Sequence, residues 1–97
     1  MRILPKVLVF EWDLGNINKN YLKHEVTNQE AEEVFTNKPL LVLEDIKHSE
    51  KESRFHALGK TNKKRLLFLS FTIRDDKIRI ISARDMNDKE RIIYETP

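Results

Sequence analysis

Residues 65–84 constrain the fold more than any other stretch. Leu66 to Ile73 reads Leu-Leu-Phe-Leu-Ser-Phe-Thr-Ile between two arginines, and Lys77 to Arg84 follows after only Asp75-Asp76. Two strand-like runs joined by two turn-forming residues must pair as an antiparallel hairpin. Burial sets the register, because a slip of one residue exchanges the two faces of a strand. Closing the Asp75-Asp76 turn pairs Ile73 with Ile78, Thr72 with Arg79 and Phe71 with Ile80. Residues 54–60 alternate in the same way. A turn over Asn62 to Lys64 then sets Phe55 beside Phe71 and Ala57 beside Leu69. A shorter turn would bring Arg54 into the core, at the cost of burying a charge.

The rest of the chain adds an opening strand over 6–12, a helix ending near His24, and a second helix beginning at Thr27. Asp13 or Asn16 is the expected cap of the first helix. Ile17, Tyr21 and His24 share one of its faces. Thr27 and Glu30 form a capping box for the second helix, and Ala31, Val34 and Phe35 are its buried stripe. Asn37 and Pro39 end it. A short strand spans 40–45, and Asn87 with Glu90 starts a final helix reaching Tyr94. The predicted class is α+β, a single domain over 1–97. Its order is β-α-α-β-β-β-β-α, with helices packed on one face of a twisted antiparallel sheet.

Composition narrows the function classes. The chain has no cysteine, which removes disulfides, thiolate metal sites and a thiol nucleophile. Its two glycines cannot build a phosphate-binding or dinucleotide loop. His24, His48 and His56 show no metal-ligand spacing, so neither metal nor cofactor is expected. No apolar run approaches the length of a membrane span, and the amino terminus does not read as a signal peptide. A soluble, cytoplasmic protein without membrane association is expected. Charged residues make up 35% of the chain, against roughly 25% on average. The net charge is only +2, but cations concentrate in the carboxyl-terminal half.

The register puts Arg54, Thr72 and Arg79 in one row on the face away from the core. His56 and Ser70 stand in the next row, and Arg74 and Lys77 extend the patch. Guanidinium groups suit phosphate oxygens. A solvated outer face explains the same charges, but Leu58, Leu66, Phe68 and Ile81 lie there too and call for a cover. The final helix, RNA bases or a protein partner would each serve. His24 is either a structural histidine or an acid–base group. Glu52 is either a surface ion-pair partner of Arg54 or a base beside it.

Several stretches together resemble the BrnT family of bacterial ribonuclease toxins. They are Phe10-Glu11-Trp12-Asp13, Asn20 with Lys23-His24, Ala31 with Val34-Phe35, and Asp45, His48-Ser49, Glu52, Arg54 and Gly59. Arg65, Leu67-Phe68, Phe71-Thr72 and Arg74 follow. Arg79-Ile80-Ile81-Ser82-Ala83-Arg84, Glu90-Arg91 and Tyr94 complete the pattern. The resemblance spans about residues 10–95. Glu25 departs from it, because the family usually carries glycine after Lys-His.

The resemblance implies a RelE-like fold and the toxin of a type II toxin–antitoxin pair that cleaves RNA and inhibits translation. It implies hetero-oligomeric neutralisation by a BrnA-type antitoxin with a ribbon-helix-helix domain, and DNA contact only through that antitoxin. A metal-independent endoribonuclease follows as the expected activity. His24, Glu52, Arg54, Arg79 and Arg84 are its candidate catalytic residues. Lys23, Arg74, Lys77 and Tyr94 are the candidate RNA contacts. His56 has no counterpart in the family pattern, and its truncation is expected to spare activity. A non-catalytic RNA- or protein-binding module, or a degenerate toxin kept as a regulatory partner, would use the same face.

Overall fold

A computed structural model describes residues 4–12, 19–48 and 52–96. The expected cap at Asp13 or Asn16 and the position of Ile17 lie outside the described residues. The sheet runs β1-β5-β4-β3-β2. Its strands are β1 (Phe10–Glu11), β2 (Leu41–Glu44), β3 (Arg54–Lys60), β4 (Leu66–Arg74) and β5 (Lys77–Asp85). Helix α1 (Lys19–His24) and helix α2 (Asn28–Glu33) lie between β1 and β2, and α3 (Asp88–Glu95) follows β5.

β2 to β5 form the antiparallel meander that their short links demand. The pairs Ile73–Ile78, Thr72–Arg79 and Phe71–Ile80 are observed, as are Phe55–Phe71 and Ala57–Leu69. Asp75 and Asp76 adopt φ values of 52° and 60°, the left-handed pair that suits a two-residue hairpin turn. The sheet as a whole is mixed rather than antiparallel, because β1 lies parallel to β5 with Glu11 opposite Arg79. Strand β1 is also shorter than the 6–12 expected. Leu8, Phe10 and Trp12 still face the core, while Val7 and Val9 are exposed.

The core fills the face that the hairpin register selected. Leu69, Phe71, Ile78 and Ile80 are fully buried beneath Ala31, Val34 and Phe35. Rings of Phe10, Phe35, Phe71 and Phe55 follow one another at centroid separations of 5.5, 5.1 and 5.5 Å. The Thr27 capping box is closed in both directions. Asn37 ends the helical segment by donating to the carbonyls of Glu33 and Lys60 and to Asn62 Oδ1 at 3.0–3.1 Å. Gly59 lets β3 approach the turn after α2; a Cβ there would stand 2.5 Å from Val34 Cγ1.

The third helix departs from the expected arrangement. Helix α2 and the turn after it cover the core face, but α3 packs against β3 on the other face, where its Glu90 bonds Arg84. Leu58, on that face, is only 3% exposed. Tyr94 donates to the Pro39 carbonyl at 2.6 Å and fixes the end of the helix. Part of the apolar surface expected to need a cover is therefore covered from within the chain. Among the described residues, no helix is long and apolar enough to cross a membrane.

Candidate functional site

The open face is built in rows by the strand register. The first row runs Glu11, Arg79, Thr72, Arg54 across β1, β5, β4 and β3. Asp45 continues it at the end of β2, where its amide donates to the Arg54 carbonyl at 2.7 Å. The second row is Ser82, Ser70, His56 and Leu43, and the third is Arg84, Phe68, Leu58 and Leu41.

A bulge makes the third row possible. Phe71 pairs with Ile80 but Ser70 pairs with Ser82, so Ile81 is the extra residue. Strict alternation from buried Ile78 and Ile80 would send Arg84 into the core. The bulge resets the phase, buries Ala83 and turns Arg84 onto the same face as Arg79. The middle row carries the small side chains Ser70 and Ser82 between longer residues on both sides. The result is a shallow trough, walled by Arg79 and Arg54 along one side and by Arg84 and Phe68 along the other.

Carboxylates accompany these cations. Arg79 Nε donates to Glu11 Oε1 at 3.1 Å, and its Nη2 reaches the same oxygen. This hydrogen bond from Arg79 holds the Glu11 carboxyl below its ordinary pKa, assisted by the charges of Lys77 and Arg74. Arg84 grips Glu90 with two bonds of 2.8 and 2.9 Å, and its guanidinium lies 4.3 Å from the centre of the Phe68 ring. Burial pushes the Glu90 carboxyl up, but Arg84 and the Asn87 amide outweigh it and the net shift is downward. Thr72 is 2% exposed between Arg79 and Arg54, and its hydroxyl has no hydrogen-bond partner among the described residues.

His56, which the sequence places on the open face but which was expected to be dispensable, has a defined partner in the structure. Its Nε2 stands 3.0 Å from Asp45 Oδ2; the Asp45 side chain is 8% exposed and that of His56 is 32% exposed. The imidazole packs on Phe68 with ring centroids 4.8 Å apart. The register of the short edge strand β2, with Glu44 opposite Phe55, is what brings Asp45 beside β3.

The candidate residues divide into those on the trough and those away from it. Arg54, Arg79 and Arg84 face it, and Arg74 and Lys77 pair at its turn end. The Glu52 carboxylate bonds Arg74 Nη2 at 3.0 and 3.2 Å. His24 lies at the end of α1, where its carbonyl accepts from Arg65 Nη2 at 3.3 Å. That end of the sheet holds Asp85, about 20 Å along β5 from Arg79. His24 and its neighbour Lys23 therefore stand at the Asp85 end of β5, apart from the row of Arg79 and Arg54. Tyr94 is committed to Pro39 beside β2. Among the described residues, no three His, Asp or Glu side chains cluster as metal ligands.

The open face thus carries Arg54, Arg79 and Arg84 around the small residues Ser70 and Ser82, with acids at its margins. Residues 12–90 match the family model described as the ribonuclease toxin BrnT of type II toxin–antitoxin systems, and the chain belongs to that family. No curated protein matches the chain.

Proposed function

We propose that the protein is a metal-independent endoribonuclease that inhibits translation, with a RelE-like fold and its active surface in the open-face trough. The single observation that carries this reading is the pair of arginine rows flanking Ser70 and Ser82. RNA brings its own nucleophile, the 2′-hydroxyl beside the scissile phosphate. The protein has to supply a base, an acid and positive charge for the phosphorane-like transition state. Arg54, Arg79 and Arg84 provide that charge, and Arg74 with Lys77 holds a neighbouring phosphate. Phe68, with the Arg84 guanidinium over its ring and the His56 imidazole beside it, holds both groups at the trough.

The partner is a co-encoded antitoxin of the BrnA type, with a ribbon-helix-helix domain, that occupies the trough with acidic side chains in the cytoplasm. Family membership supports an antitoxin and an RNA target. Purified protein incubated with total RNA in EDTA is expected to yield discrete fragments. Intact RNA, or cleavage that returns only with one divalent ion, overturns the mechanism. RNA retained on the protein without cleavage would instead indicate a binding module.

A further inference from the structure

We propose that His56, oriented by Asp45, is the general base that takes the proton of the RNA 2′-hydroxyl. This rests on the ribonuclease reading and supplies the role which that reading leaves open. His24 stands near Asp85, at the far end of β5 from Arg79, and Glu52 is held by Arg74. Glu11 and Glu90 are each bonded to a guanidinium.

His56 differs from all of these. It lies in the middle row, between Arg54 and Leu58 on its own strand and beside Ser70, so it faces the floor of the trough. Its partner is a buried carboxylate rather than a cation. With Nε2 turned to Asp45, that nitrogen carries the hydrogen and donates it, which leaves the lone pair on Nδ1. A base whose tautomer and ring orientation are fixed by a third group is the arrangement that proton abstraction from a hydroxyl requires. Phe68 holds the ring from one side. Imidazole also titrates near neutrality, where a general base is most effective.

The step balances as follows. The 2′-oxygen forms a bond to phosphorus as its proton passes to Nδ1 of His56. The bond from phosphorus to the 5′-oxygen breaks, and water protonates that oxygen. The products are a 2′,3′-cyclic phosphate and a 5′-hydroxyl, and the imidazolium returns its proton to solvent. Arg79 and Arg54 on one side and Arg84 on the other bracket the phosphate. Asp45 is a positioning residue, since it acts through the imidazole.

The charged groups that face His56 are Asp45 from the end of β2, Glu90 from α3, Arg54 on β3 and Arg84 across Phe68. Cleavage of a single-stranded RNA oligonucleotide should rise with pH through the histidine range. Removing the Asp45 charge should move that rise to lower pH.

The experiment compares wild type, His56→Gln and Asp45→Asn for oligonucleotide cleavage between pH 5 and 9, with thermal melts as the folding control. His56→Gln should lose about 10²–10⁴-fold in rate and its acid limb. Asp45→Asn should lose less and show the displaced limb. A folded His56→Gln protein that cleaves within threefold of wild type overturns the proposal and leaves the ribonuclease reading standing. Wild type that never cuts RNA overturns both. If His56→Gln does not fold, an Asp45→Asn profile coincident with that of wild type overturns the proposal.

Discussion

Replacing Glu25 by glycine should stabilise the protein. Glu25 follows α1 with φ of 57°, in the left-handed region, and its amide donates to the Tyr21 carbonyl at 2.9 Å. That is the single-bond helix stop in which glycine is the unstrained residue. The Glu25 carbonyl is also fixed, accepting from Arg65 Nη1 at 2.9 Å, so the backbone has little freedom to relax. A Cβ in this conformation costs about 1–2 kcal/mol, whereas glycine loses about 0.4–1 kcal/mol more chain entropy on folding. The difference favours Glu25→Gly by about 0.5–1 kcal/mol, or about 2–8 °C in Tm for a chain of this size. Differential scanning calorimetry at neutral pH measures it directly. Glu25→Ala is the control, because it removes the carboxylate and keeps the Cβ. Equal gains in both variants would assign the effect to charge, and a lower Tm for Glu25→Gly would refute the strain argument. The same position is where the family usually carries glycine, so the departure has a stated cost.

Arg79→Ala should remove growth inhibition and lower RNA cleavage by about 10²–10³, the effect of deleting one charge-stabilising donor. It should still melt cooperatively, although Glu11 is left without its main partner; a folded, fully toxic variant would refute the assignment. Acid should destabilise the protein. Asp85 is held below its ordinary pKa by the hydrogen bond from Arg65, and Glu30 is lowered by the Thr27 amide and Arg65 despite its burial. Depressed folded-state values mean that this stability is complete above the unfolded-state value near 4 and is lost as pH falls through the folded ones. A Tm unchanged between pH 7 and 3, or an Arg65→Met protein with the same acid limb, would contradict it. Gly59→Ala should lower stability by about 1–3 kcal/mol through overpacking against fully buried Val34; urea denaturation tests this, and an unchanged midpoint would refute it.

The central hairpins were legible in the sequence because burial and turn length agreed on one register. Phe55, Leu69, Phe71, Ile78 and Ile80 could each reach the core only one way. Four features were not legible. The parallel pairing of β1 with β5 joins distant segments through a two-residue ladder, too short to leave a pattern. The bulge at Ile81 contains no glycine or other local signal, yet it decides which face Arg84 takes. The side chosen by α3 depends on Leu58 and Tyr94, while Ile92 and Ile93 remain 66% and 51% exposed, so no apolar stripe announced the contact. The Asp45–His56 pair was hidden for a related reason. It depends on a short edge strand whose register hydropathy does not determine.

Residues that carry the family resemblance pair off in space: Glu11 with Arg79, Glu52 with Arg74 and Glu90 with Arg84. Each pair combines an acid and a base that lie far apart in sequence or in different elements, so the motif encodes contacts across the open face rather than a local loop. The consequence for binding is an exchange. A phosphate that approaches Arg79 meets a guanidinium already facing a carboxylate, and it must share or displace that group. Little condensed salt is released by replacing one protein anion with one phosphate. The affinity for RNA should therefore depend less steeply on ionic strength than the number of arginines on the face would suggest. An acidic antitoxin segment faces the same exchange. If it occupies the trough as proposed, it would compete with RNA for guanidinium groups that are already oriented, and would have to prevail by adding apolar contact beside Phe68 rather than by charge alone.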